Sequence, residues 1–177
     1  NTAGDFSGAD SGEISRCLAG KQALVVGPGM GQTEGAKAIL REALLAAHKQ
    51  EMPVVIDADG LNLIAGDPSL ANNLGRKAVL TPHPGEMSRL LGMETAQVQE
   101  ARLCAAQALS KKYDCWVVLK GARTVIAGPG GLSLVNPAAV PTLATAGSGD
   151  VLSGVIGALL ARGFSPQDAA AGAVFAH

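Results

Sequence analysis

The chain's apolar positions fall into short continuous runs separated by longer stretches of helical period. Residues 23–26 form the first apolar run, which ends in the glycine-rich turn GPGMG. Over 33–48, Ala36, Ile39, Leu40, Ala43, Leu44 and Ala47 recur at the spacing of one helix face, which predicts an amphipathic helix. PVVIDADGLNLIA reads as a second buried strand with a polar end at Asp57 and Asp59. KAVLTPHPGE reads as a third, ending at Thr81, where Pro82 and Pro84 interrupt the backbone. The pattern then predicts a long helix over 95–111 and a fourth strand over 115–120. RTVIAGPGGLSLVN follows as two short strands around a Gly-Pro-Gly-Gly turn, an antiparallel hairpin. Helices over 150–162 and 166–176 close the chain, with Gly163 ending the first and Ser165-Pro166 opening the second. The polar, Gly/Ser-rich residues 1–16 read as a loop.

Strands that are apolar throughout and alternate with helices belong to a parallel sheet buried on both faces. The expected fold class is therefore α/β, with a mostly parallel central sheet, an antiparallel hairpin at one edge and no second domain within 1–177. In such sheets ligands bind beyond the carboxyl ends of the strands. The unusual residues sit there: 27–31, 57–62, 81–86 and 120–124.

Composition narrows the partner. Hydrophobic residues make up 47% of the 177 and charged ones 16%, which excludes a disordered chain. A net charge of -1 without a basic block argues against nucleic acid or an anionic membrane, and 3% aromatics leave no base-stacking platform. Cys17, Cys104 and Cys115 are scattered and form no zinc-type pair; they read as small core residues in a reduced, cytoplasmic compartment. The longest apolar helix candidate is too short to cross a bilayer. The last segment, AAAGAVFAH, carries no stop signal, so the chain reads as a fragment of a larger domain. Low charge leaves a homo-oligomer open.

The densest chemistry lies in LATAGSGDVLSG. Gly147 and Gly149 allow a ligand to approach the backbone closely. The helix that follows aims its first N–H groups, around Ser148 and Gly149, at that ligand as an anion hole. Asp150 can then accept a proton from an attacking hydroxyl while the amides hold a phosphoryl group. The plainer alternative is that Ser148 caps the helix, Asp150 favours its dipole and the glycines allow packing. In TPHPGE, Glu86 can hold magnesium through water and His83 can contact substrate, or both can serve a helix N-terminus. In LKGARTVIAG, Lys120, Arg123 and Thr124 suit a nucleotide phosphate or ribose, or a solvated hairpin turn. GPGMG lacks the GxGxxG spacing of a hydride-transfer site, yet Gly29 and Gly31 suggest close approach to a ligand. Asp57, Asp59 and Asn62 can orient substrate or a metal shell, although Asp59-Gly60 is also a turn signal.

In this order, GPGMG, VIDADGLNLIA, LTPHPGEMSRLLG, VVLKGARTVIAGPGG and LATAGSGDVLSGVIGALLARG resemble the ADP/ATP-dependent NAD(P)H-hydrate dehydratases of the ribokinase-like superfamily, from about residue 23 onward. The resemblance implies a three-layer αβα fold and a repair reaction. A hydrated NADH or NADPH is phosphorylated on its hydroxyl by ADP or ATP, and phosphate then leaves. It implies Asp150 as the base, Gly147, Ser148 and Gly149 as the anion hole, and Lys120, Gly121, Ala122, Arg123, Thr124 and Gly149 at the adenine nucleotide. It places Gly29 or Gly31, His83 and Asp150 at the hydrated dinucleotide and Glu86 at magnesium. A fused or separate epimerase for the hydrate is implied as a companion. The sequence departs from the family at 139–143, AVPTL, where many members have Gly-Asn-x-Gly-Met. Two rivals remain: a small-molecule kinase of the same fold, acting on a vitamin precursor or sugar alcohol, and a non-catalytic adenine-nucleotide-binding subunit.

Overall fold

The computed structural model of the chain describes residues 11–137 and 147–177. In chain order it contains α1 (Ser11–Leu18), β1 (Leu24–Val26), α2 (Glu34–Lys49), β2 (Val54–Ile56), α3 (Asp59–Gly66), a 3-10 turn (Pro68–Asn73), β3 (Ala78–Leu80) and α4 (Pro84–Leu91). There follow α5 (Thr95–Glu100), α6 (Arg102–Tyr113), β4 (Trp116–Leu119), β5 (Val125–Ala127), β6 (Ser133–Val135), α7 (Ser148–Ala161) and α8 (Pro166–Ala176). The strands form one sheet in chain order; β1 to β4 are parallel, and β5 and β6 add antiparallel at one edge. The segment 139–143 lies outside the described residues.

The pleat explains the layering. Val54, Ile56, Leu80, Val117 and Leu119 point to one face, where they pack with Leu40, Leu44, Ile64, Met87 and Leu109 from the first six helices. The alternate strand residues Val55, Val79, Val118 and Ile126 point to the other, under Leu152, Ile156, Ala169, Ala170 and Ala173 of α7 and α8. Every strand residue from β2 to β5 except Trp116 is buried. This is why those strands read as uninterrupted apolar runs.

Four expectations are corrected. Residues 11–18 are helical, because the i,i+4 pair Ile14 and Leu18 packs on the first core despite polar neighbours. The chain after Asp57 is helix α3, burying Leu61, Leu63 and Ile64. The long helix over 95–111 is two, since Ala101 leaves helical geometry at φ -126, ψ 45. Of the cysteines only Cys115 is core; Cys17 and Cys104 are exposed.

α3 can start directly behind β2 because two glycines meet. A Cβ on Gly60 would lie 3.1 Å from the Gly27 Cα, and one on Gly27 only 1.9 Å from the Asp57 carbonyl oxygen. Gly27 also has φ +120, which side-chain-bearing residues avoid. Gly27→Ala is expected to destabilise the protein by more than about 3 kcal/mol. Denaturant unfolding of the full-length protein measures it, and a change within experimental error would contradict the packing described.

Candidate active site

Parallel strands end together, so the residues just past β2, β3 and β4 are neighbours in space. Asp57 follows β2, Thr81 follows β3 and Lys120 follows β4. The Asp57 carboxylate is completely buried. Lys120 Nζ donates to its Oδ1 at 2.6 Å, and the backbone N–H of Ala58 donates to the same oxygen at 2.8 Å. The Ser153 hydroxyl, from the second turn of α7, lies 2.5 Å from Oδ2 and donates to it. The same hydroxyl lies 3.0 Å from the Gly149 carbonyl and 3.4 Å from Thr81 Oγ1. An ionised carboxylate survives burial only when paired and hydrogen-bonded in this way.

The turn at Asp57 is strained. Ala58 has φ 49 and ψ -120, a conformation that costs a residue with a Cβ roughly 1–3 kcal/mol. Asp57 holds it from both ends: its side chain accepts the Ala58 N–H, and its carbonyl accepts the Gly60 N–H at 3.0 Å. Asp59, two residues on, reaches back to the loop after β1, accepting from the Gly31 N–H at 2.9 Å and Gln32 Nε2 at 3.1 Å. Gly29 and Gly31 are exposed, with φ +66 and +74. Asn62 accepts from Arg89 Nε at 2.8 Å and so braces α3 against α4.

His83 and Glu86 build the start of α4 together. The His83 N–H donates to Glu86 Oε2 at 2.7 Å, while His83 Nδ1 accepts from the N–H groups of Gly85 and Glu86. This reciprocal cap is the helix-N-terminus alternative for both residues. It fixes the imidazole as the neutral form with its proton on Nε2, which lies 3.4 Å from Glu86 Oε1. Burial raises the Glu86 pKa, opposed by the His83 N–H and by Lys120, whose Nζ is 3.9 Å from Oε2. Among the described residues no three His, Cys, Asp or Glu cluster as a metal cage. One buried carboxylate beside Lys120 fits a magnesium ion held through water, which needs few protein ligands.

The loop after β4 is held from beneath. Arg102, placed by the break before α6, donates to the carbonyls of Leu119 and Lys120 at 3.0 and 3.1 Å. A Cβ on Gly121 would lie 3.3 Å from both terminal guanidinium nitrogens. Ala122 and Arg123 are exposed, Arg123 at φ 55, and Thr124 Oγ1 donates to the Gly121 carbonyl at 3.0 Å. α7 opens beside this loop. Gly147 is its N-cap at φ 87, with no side-chain cap, so Ser148 is the first helical residue and not the cap. A Cβ on Gly149 would lie 3.1 Å from Lys120 Nζ and 3.7 Å from Asp57 Oδ2. Asp150 is exposed on the first turn, and His177 Nε2 donates to the Ser148 carbonyl at 2.8 Å. A cavity of about 280 Å³ lies instead at the opposite end of the sheet, where β2 and β3 begin, beside Leu44, Met52, Leu74 and Arg76.

Gly149, Lys120 and Glu86 thus come together, with His83 next to Glu86 and Asp150 on the turn above. Gly31 is tied to the start of α3 through Asp59, with Gly29 in the same loop. Ser153 and Arg102 were not singled out by sequence, and Thr81 was marked only as a strand end. Ser153 alone left a signal, as a hydroxyl on the buried stripe of an otherwise apolar helix.

A family model described as NAD(P)H-hydrate dehydratase matches residues 7–177. The chain belongs to this family. It is 42% identical to the bifunctional NAD(P)H-hydrate repair enzyme of Moorella thermoacetica over 160 residues, which are 90% of this chain and 30% of that protein. The chain therefore spans about a third of the length of the relatives it matches. A ribokinase-like superfamily protein of Enterococcus faecalis superposes over 95% of this chain and 57% of its own, with TM-score 0.81 and 29% identity. The ADP/ATP-dependent NAD(P)H-hydrate dehydratase of Bacillus subtilis, crystallised with ATP and Mg2+, superposes over 92% and 57%, with TM-score 0.72 and 29% identity. The architecture of this family member is thus ribokinase-like.

The His83 cap makes stability pH-dependent. Burial lowers the His83 pKa, assisted by Lys120 and Arg89 and opposed by Asp57. The unfolded chain therefore binds a proton before the folded one does. The cap's contribution is complete above about pH 6.5, the unperturbed value, and is lost as pH falls through the lowered one. Glu86 shifts the opposite way, so its contribution has the opposite sign and is removed by comparing variants. His83→Asn keeps a capping acceptor that does not titrate. The melting temperature of this variant should fall less between pH 7 and pH 5 than that of the parent protein. Parallel curves would show that His83 Nδ1 does not cap α4.

Proposed function

We propose that the chain carries the dehydratase activity of a metabolite-repair enzyme, returning hydrated NADH or NADPH to the normal cofactor with ADP or ATP as phosphoryl donor. One observation carries the reading in a chain of this family: the exposed Asp150 sits on the first turn of a glycine-opened helix whose Gly149 lies directly above Lys120.

The chemistry follows from those groups. Asp150 takes the proton as the hydrate's hydroxyl oxygen attacks the terminal phosphorus of the nucleotide. A new O–P bond forms and the bridging P–O bond to the rest of the nucleotide breaks. The N–H groups that open α7 stabilise charge on the moving phosphoryl group, and the positive end of the helix adds to their effect. The carbon–oxygen bond then breaks, phosphate leaves with the bonding pair, and the adjacent ring carbon gives up its proton to solvent, which restores the double bond. Lys120, Gly121, Ala122, Arg123 and Thr124 line the adenine nucleotide with Gly149. Gly29, Gly31 and His83 Nε2–H face the hydrated dinucleotide. Glu86 would hold Mg2+ through water, and the ion would neutralise nucleotide phosphate charge.

The relatives' name, bifunctional repair enzyme, supports a companion activity outside this chain, and an epimerase for the hydrate is the partner proposed. A cytoplasmic location suits these substrates; among the described residues no helix is long and apolar enough to cross a membrane.

Asp150→Asn keeps the shape and removes the base. In the full-length protein, turnover of hydrated NADH with ADP or ATP, followed by the return of NADH absorbance, should fall by roughly two orders of magnitude or more. Nucleotide affinity should stay near the parent value. Near-normal turnover would refute the role given to Asp150. No return of NADH even in the parent protein, with stable phosphorylation of another alcohol, would assign it to the small-molecule kinases.

A further inference from the structure

We infer that Asp57 and Ser153 are positioning residues, which set the height and angle of α7's first turn over the nucleotide loop and so place Asp150. The inference rests on Asp150 acting as the base. Asp57 reaches three elements at once. It binds Lys120 at the end of β4, 63 positions away, and Ser153 in α7, 96 positions away, and it belongs to the end of β2. These contacts converge beneath the α7 N-terminus. Ser153 follows Gly149 by one helical turn, and its hydroxyl also lies against the Gly149 carbonyl. Gly149 is in turn seated on Lys120 Nζ and near Asp57 Oδ2. The hydroxyl's single hydrogen serves the nearer carboxylate, which ties the second turn of α7 to the sheet.

The need for such a tie is visible in the helix itself. α7 begins at a left-handed glycine without a side-chain cap. Its N-cap glycine brings no side chain to the entry, unlike Thr33 at α2 or Ser165 at α8, although His177 Nε2 donates to the Ser148 carbonyl in the first turn. Its inner face offers Leu152, Ile156 and Leu160, apolar contacts that hold the helix on the sheet but lack the directionality of a hydrogen bond. The Asp57–Ser153 hydrogen bond is directional and ties the second turn of α7 to the end of β2. Neither residue need touch substrate: both side chains are fully buried.

The test is made in the full-length protein, with hydrated NADH and ADP or ATP. Ser153→Ala removes one atom at a position where alanine favours helix. It should lower kcat roughly tenfold or more, since small misplacements of a reacting group are costly. KM for nucleotide and for hydrated dinucleotide should stay within about twofold of the parent. Ser153→Thr, which keeps the hydroxyl, should recover most of the rate, and Asp57→Asn should reproduce the loss. The deciding comparison is made on the residual turnover of Asp150→Asn. With the base already gone only the placement of the N–H groups that open α7 still counts, so adding Ser153→Ala should lower that turnover by a clearly smaller factor than it lowers the parent's. An unchanged kcat in Ser153→Ala, or an equal loss in both backgrounds, overturns the positioning role and leaves the proposed function standing. Near-normal turnover of Asp150→Asn alone overturns the proposed function. If Ser153→Ala does not fold by its melting profile, Ser153→Cys is read by the same criteria.

Discussion

The contact between a fully buried carboxylate and the lysine that neutralises it organises the carboxyl end of the sheet. Asp57 and Lys120 leave the sheet on different strands, and each is poorly placed without the other. A lone Asp57 would be an uncompensated charge in the interior, and Lys120 would lose its anchor beneath Gly149. Breaking such a pair costs far more than forming it gains, so the arrangement acts as a constraint more than as a source of stability. It also accounts for the strained turn at Ala58, whose N–H the same carboxylate accepts.

The layers were legible in the sequence for a simple physical reason. Strands buried on both faces cannot carry polar residues, so β2, β3 and β4 stand out wherever Val, Ile and Leu run together. Helices with a regular stripe, such as α2, or with marked ends, such as α8, were legible too. α1 and α3 were hidden by composition. α1 buries only two apolar side chains among polar ones, and α3 follows its strand so closely that one apolar run covers both. No local rule shows that Gly27 and Gly60 will meet, because the contact joins residues far apart in the chain.

The candidate site divided along the same line. Residues whose chemistry depends on local context could be named: the glycine-opened start of α7, the proline-stiffened His83 and Glu86, and the lysine ending β4. Their supports could not. Asp57 stood out only as a polar strand end with several uses open, and Ser153, Thr81 and Arg102 carry meaning only once three strands end side by side. His83 shows how one residue can satisfy two readings. Its Nδ1 is consumed by the helix cap, while its Nε2 lies beside Glu86 on a half-exposed ring.

Gly157 adds a mechanical consequence. A Cβ there would lie 2.3 Å from Val25 Cγ2, so any side chain at 157 would have to displace Val25 or lift α7 off β1, the strand whose far end becomes the Gly27-to-Gly31 loop.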